Sequence, residues 1–180
     1  MRDVGPKRND KRGEGVRKEE PRAHAKGHRD RQLEEVNHDP YLARSKPPEP
    51  ALCPQCGVVY HRGRWQRAPR PEKAHEHLCP ACQRIKDRYP AGYVKLSGEF
   101  LGTHRDEIRH LVQNEEQREA ADHPLQRIMD IMERGGVITV TTTDVHLARR
   151  IGEALHHAYQ GKLDIKYSQD EYLVRVNWTR

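Results

Sequence analysis

Two tight cysteine pairs constrain this chain more than anything else in it. Cys53-Pro-Gln-Cys56-Gly57 and Cys79-Pro-Ala-Cys82 hold all four cysteines and are separated by the 22 residues 57–78. Two residues between cysteines let both thiolates of a tight knuckle face one metal ion. Two such knuckles complete a tetrahedral set of four sulfurs at about 2.3 Å from Zn²⁺. Gly57 suits the backbone reversal that brings amides toward the sulfurs. The separation slightly exceeds the common spacing of about 15–20 residues, and a β-hairpin with a loop fills it. A redox dithiol would need a strand–helix junction of a thioredoxin-like unit, and a disulfide would need an oxidising compartment. Neither context surrounds these pairs. His75 and His77 stand near Cys79 but read as loop residues, because four thiolates already close the shell. Zn²⁺ is the default ion for such a set, with iron as the alternative. A closed sulfur site leaves no position for water or substrate, so the metal is expected to hold a fold together rather than to catalyse.

Composition then divides the chain. Of 180 residues, 34% are hydrophobic and 33% charged, against roughly 45–50% and 25% in an ordinary soluble domain. Part of the chain should therefore carry no core. From Met1 to Leu33 the large apolar residues are Met1, Val4, Val16 and Leu33 alone, too few to offset the entropy of ordering. Residues 1–50 are expected to form a disordered, charged tail, with a short charged helix over Arg29–His38. Tyr41 and Leu42 would anchor the tail, and Lys46–Pro50 would be a stiff, Pro-rich linker. The tail reads either as a solubilising segment or as an RNA-binding arm. Residues 51–92 are expected to form a zinc ribbon with four cysteine ligands, and 93–180 a two-layer unit.

Charge is unevenly spread. Residues 1–50 hold 13 Lys+Arg against 10 Asp+Glu, residues 51–90 hold 8 against 3, and residues 91–180 hold 12 against 14. The excess peaks around the cysteines, which points to a polyanionic partner such as nucleic acid. No stretch is long and apolar enough to span a bilayer, and the first residues lack the apolar core of a secretory signal. A cytoplasmic protein with no membrane partner is expected.

Within 51–92, Val58-Val59-Tyr60 reads as a strand, Arg62-Gly63-Arg64-Trp65 as a turn and return, and Ala68–Glu76 as loop. Arg62, Arg64, Trp65, Arg67, Arg70 and Lys73 lie between the knuckles, and Arg84, Lys86 and Arg88 follow the second one. Guanidinium groups beside flat rings can neutralise phosphates and stack on unpaired bases, so these residues are the candidate nucleic-acid contacts. Against this, Trp65 can pack inward and the arginines can be merely solvated; Trp65 is expected to be partly core.

In 93–180, Tyr93–Leu96 reads as a strand. Thr103 with Asp106 resembles a helix N-cap, with Ile108, Leu111 and Val112 following at helical spacing. A second helix is expected from Asp122, with Leu125, Ile128, Met129 and Met132 on one face, stopping at Gly135-Gly136. Val137–Thr142 is a β-branched run and reads as a strand. Thr143-Asp144 opens a helix with Leu147, Ile151, Leu155 and Ala158 inward. Leu163–Tyr167 and Tyr172–Trp178 complete two strands. The order α-β-α-β-β predicts an α+β fold with helices on one face of a small mixed sheet. Arg149-Arg150 and His156-His157 read mainly as a solvent face. Thr141-Thr142-Thr143 reads as strand and cap chemistry rather than a phosphate site. No phosphate loop, nucleophile elbow or other catalytic set is present. A non-enzymatic protein with no small-molecule substrate is expected.

The two CPxC pairs, the run Ile138-Thr-Val-Thr-Thr-Thr-Asp-Val-His-Leu-Ala-Arg-Arg-Ile151 and the closing strand Tyr172-Leu-Val-Arg-Val-Asn-Trp178 together resemble the N-terminal region of the nonsense-mediated-decay protein three family. Members of that family are export and assembly adaptors of the large ribosomal subunit. The resemblance covers roughly residues 51–180. That family carries further CxxC pairs and continues into β-barrel domains, so this chain is expected to be a compact prokaryotic relative with its own basic tail. The resemblance implies binding to rRNA and the ribosome, with the large subunit preferred. The role would be assembly, quality control or ribosome hibernation. Nuclear export does not carry over. A DNA-binding zinc-ribbon regulator and a protein–protein adaptor are the alternatives, although no helix with a basic recognition face is evident for the former.

Overall fold

Arg62 and Gly63 turn the chain with φ of 52° and 76°, the two left-handed positions of a type I′ hairpin. They join strands β2 (Val59–His61) and β3 (Arg64–Gln66), with His61 paired to Arg64. The Glu49 carboxylate accepts from the Arg62 and Gly63 amides at 2.8 and 2.9 Å, which leaves no orphan donor at the turn. The computed structural model describes Met1 and residues 39–42 and 46–180. The expected disorder over most of the tail and the helix over Arg29–His38 lie outside the described residues.

The hairpin belongs to a four-stranded sheet in the order β3-β2-β1-β4, where β1 is Ala51–Leu52 and β4 is His75–Glu76. β1 pairs antiparallel with β2 and parallel with β4. The loop expected over Ala68–Glu76 thus ends in a short strand. Its flanking amides supply β1 with partners: His75 N–H donates to Pro50 O and His77 N–H to Leu52 O. Helix α1 (Pro80–Lys86) follows, with Pro80 in its first turn.

A second sheet of five strands has the order β6-β7-β5-β9-β8. Its strands are β5 (Gly92–Ser97), β6 (Ile128–Arg134), β7 (Val137–Thr142), β8 (Lys162–Tyr167) and β9 (Val174–Thr179). Only β5 and β9 run parallel, so the sheet is mixed as expected. Helices α2 (Phe100–Thr103), α3 (Arg105–Asp122) and α4 (Val145–Tyr159) connect its strands. The chain is therefore a mixed α and β fold with two sheets and four helices among the described residues.

The helix expected from Asp122 to Gly135 is overturned. Asp122 instead ends α3, and Ile128–Arg134 is strand β6. Gly135 and Gly136, read as a helix stop, sit at φ of 59° and 73° and form the two-residue turn of a β6–β7 hairpin in which Arg134 faces Val137. A short apolar run fits either period. The adjacent β-branched Val137–Thr142 decides the matter by offering six residues of ladder. The order of this segment is β-α-α-β-β-α-β-β, not α-β-α-β-β. Thr103 is also not the cap of α3: it closes α2, and its hydroxyl donates back to Phe100 O.

α4 forms as read from the sequence. The Asp144 carboxylate accepts from the His146 and Leu147 amides at 2.7 and 3.3 Å, and Leu147, Ile151 and Leu155 are buried. Ala158 is exposed instead. Gly152 lets α4 approach β9 closely, since a Cβ there would meet Val176 Cγ1 at 2.5 Å. Alternation along β5 and β9 sends Val94, Leu96, Val174, Val176 and Trp178 into one core with Ile108 and Val112 of α3. The opposite residues, Tyr93, Lys95, Arg175 and Asn177, are exposed. Among the described residues, helices cover one face of the sheet only.

Candidate metal centre

The first knuckle leaves β1 and turns back into β2. Cys53 N–H donates to Val58 O and Gly57 N–H to Cys53 O, both at 2.9 Å, with Gly57 at φ 73°. The second knuckle is the start of α1. Cys79 is its N-cap, and Cys79 Sγ accepts from the Cys82 amide at 3.4 Å. Cys53 Sγ accepts from the Cys79 amide at 3.4 Å, so the two knuckles are stitched to each other.

These elements bring all four sulfurs within 4.8 Å of one another, with Cys53, Cys79 and Cys82 buried and Cys56 half-buried. Cys56 Sγ and Cys79 Sγ stand 3.6 Å apart. Four sulfurs around one Zn²⁺ at about 2.3 Å would sit about 3.8 Å from each other, so the donor set has the size and chemistry of a tetrahedral zinc site. His75 and His77 are exposed and lie outside the set, and His77 stacks on Trp65.

Charge explains why such a cluster suits a cation. The hydrogen bond from Cys79 pulls the Cys56 thiol down to about 4, helped by the Val58 amide and against burial. The same hydrogen bond, together with burial, pushes Cys79 upward. Burial pushes Cys82 up to about 11, against the Arg127 hydrogen bond. The thiols cannot all ionise side by side without a positive ion between them.

Arg127 is the residue that the sequence reading missed. Its Nη1 donates to Cys82 Sγ at 3.2 Å. Burial opposes its charge, but attraction to Cys82, Cys56 and Cys79 more than compensates, and its pKa is raised. Thr143 holds it in place: the Thr143 hydroxyl accepts from the Arg127 amide at 2.8 Å and donates to Leu125 O at 2.6 Å. The threonine run thus serves the strand, as read, but the capping side chain of α4 is Asp144 and Thr143 instead braces the loop before β6. A lone arginine in a segment expected to be helical carried no signal of this.

The candidate nucleic-acid contacts divide. Arg62, Arg64, Arg70, Lys73, Lys86 and Arg88 are exposed. Trp65 is half-buried, packed on Tyr60 with ring centroids 5.4 Å apart and against the cysteine cluster. The exposed Arg67 donates from Nε to Ala120 O at 3.1 Å, one of the unpaired carbonyls at the C-terminal end of α3, where a cation is favoured. Arg84 does not extend the basic surface. It is 1% exposed, ion-paired with Asp39, and donates to Tyr89 O at 3.0 Å. Its guanidinium lies 4.3 Å from the Tyr41 ring centroid. Tyr41 therefore anchors the preceding segment, with its hydroxyl on Asp87, whereas Leu42 is exposed.

No helix among the described residues is long and apolar enough to cross a membrane. No family model, curated protein or solved structure matches this chain, so its resemblance to the nonsense-mediated-decay protein three family rests on the motifs alone.

Proposed function

We propose that this protein is a zinc-stabilised, non-enzymatic RNA-binding factor that acts on the cytoplasmic ribosome, with the large subunit preferred. In this reading the four-cysteine module is a zinc ribbon. The ion cross-links two knuckles and thereby sets the β2–β3 hairpin. The observation that carries the reading is that Arg62, Arg64, Arg70 and Lys73 stand exposed on that module, in the part of the chain where the excess of cations over carboxylates is greatest. A rigid hairpin presenting guanidinium groups matches phosphate in shape and charge. The resemblance noted above supports rRNA as the source of the phosphates. Assembly, quality control and hibernation all ask for the same RNA-shaped surface.

Sedimentation of a native lysate through a sucrose gradient at low and high salt tests this. Co-migration with the large subunit or whole ribosomes, lost as salt rises, is the expected result. A protein that stays at the top of the gradient at every salt concentration overturns it.

A further inference from the structure

The acidic balance of residues 91–180 conceals a sorting of charge between the two sides of the five-stranded sheet. On the covered side, α3 and α4 together carry seven carboxylates against five arginines. On the open side, strand register places Lys95, Arg134, Lys162, Lys166 and Arg175 together with only Asp130 and Asp164. Lys166 and Asp164 pair with each other at 3.1 Å.

Tyr93 stands in the middle of this side. It lies on β5, the central strand, level with Thr141 on β7 and Arg175 on β9. The residue is 38% exposed. One step along, Lys95 lies level with Thr139 and Asn177, a cation flanked by a hydroxyl and an amide. The large exposed apolar residue of the face is Met132, on the edge strand. A protein partner that docks by burying a hydrophobic centre finds little here. A chain of phosphates with unpaired bases finds cations, hydrogen-bonding groups and a ring to stack on.

We propose that this open sheet face binds single-stranded RNA. One base stacks on Tyr93, phosphates pair with Lys95 and Arg175, and Thr139 and Asn177 meet polar edges. The choice of RNA rests on the function proposed above. The location does not, since it lies on different strands from the basic hairpin.

The test is fluorescence anisotropy of the full-length protein with a labelled single-stranded RNA of roughly 12 nucleotides, within the usual range of site sizes. Tyr93→Ala is expected to weaken binding about tenfold, the loss typical of one stacked base, and Tyr93→Phe to restore most of it. The double variant Lys95→Glu with Arg175→Glu is expected to weaken binding further and to flatten the salt dependence by about 0.7 per lost phosphate contact. Tyr93, Lys95 and Arg175 are surface residues, and metal content and far-ultraviolet dichroism verify that the variants fold. If these changes leave affinity intact while Arg62→Ala with Arg64→Ala removes it, the sheet proposal is overturned and the ribosome reading stands. If the unmodified protein binds duplex RNA as tightly as single strands, or binds no single strand, the sheet proposal is likewise overturned. Sedimentation then judges the ribosome reading separately.

Discussion

Arg127 Nη1 donates to Cys82 Sγ across 3.2 Å, although 45 positions separate the two residues in the chain. One contact thereby connects the cysteine cluster to the loop that leads into the five-stranded sheet. It places a fixed positive charge beside sulfurs that carry net negative charge once a divalent ion is bound.

Replacing Arg127 with Gln removes that charge and keeps a donor. Outer-shell partners of metal ligands typically contribute 10–100-fold in affinity. We expect metal to bind in the Arg127→Gln variant with an affinity lowered by about tenfold, measured by competition with a chromophoric chelator. Equal affinity would show that the guanidinium is a bystander.

Cys56→Ser should remove a ligand whose thiol is pulled down to about 4. Structural zinc contributes roughly 10–16 kcal/mol in small modules, more than the short strands β1–β4 can replace. Loss of metal and of amide dispersion for residues 51–86 is expected in a ¹⁵N spectrum, with signals from β5–β9 retained. Retention of metal would remove Cys56 from the site.

Metal uptake should release protons. Burial holds Cys82 protonated, its pKa pushed up to about 11, and Cys79 is pushed upward as well. Both must lose their protons to ligate. Protons then compete with the ion, so apparent affinity falls as pH falls and rises as pH rises. Calorimetric titration in two buffers of different ionisation enthalpy measures the release, and identical heats would contradict it.

Arg84 is a buried cation held by Asp39, Tyr89 O and the Tyr41 ring. Arg84→Ala leaves Asp39 without its ion-pair partner, keeping only the Tyr41 amide, and opens a cavity under Tyr41. Breaking one side of a buried pair costs about 3–5 kcal/mol. A fall of this size in urea-unfolding stability is expected, and a change below about 1 kcal/mol, the worth of an exposed pair, would contradict the burial.

Gly152→Val tests the approach of α4 to β9. A Cβ already meets Val176 Cγ1 at 2.5 Å, and overpacking of a tight core costs about 1–3 kcal/mol. The variant should lower the melting temperature without changing metal content.

What could be read from sequence was whatever a few neighbouring residues decide. Spacing alone assembled Cys53 with Cys56 and Cys79 with Cys82, because a two-residue gap leaves the knuckle few conformations. Asp144 announced α4, and the β-branched Val137–Thr142 announced β7, through local capping and propensity. Tertiary structure decided the rest. Ile128–Arg134 became a strand because a ladder partner stood two glycines away. Arg84 went inside because Asp39, 45 positions earlier, met it there. Arg127 reached the sulfurs because the Thr143 hydroxyl holds its backbone beside them. Five of the twelve cations of a net-acidic segment came together on one sheet face only when strand register set Lys95 level with Asn177 and Arg175 with Lys166. Local preferences act over a few residues, whereas charge partners and sheet neighbours are chosen by the fold as a whole.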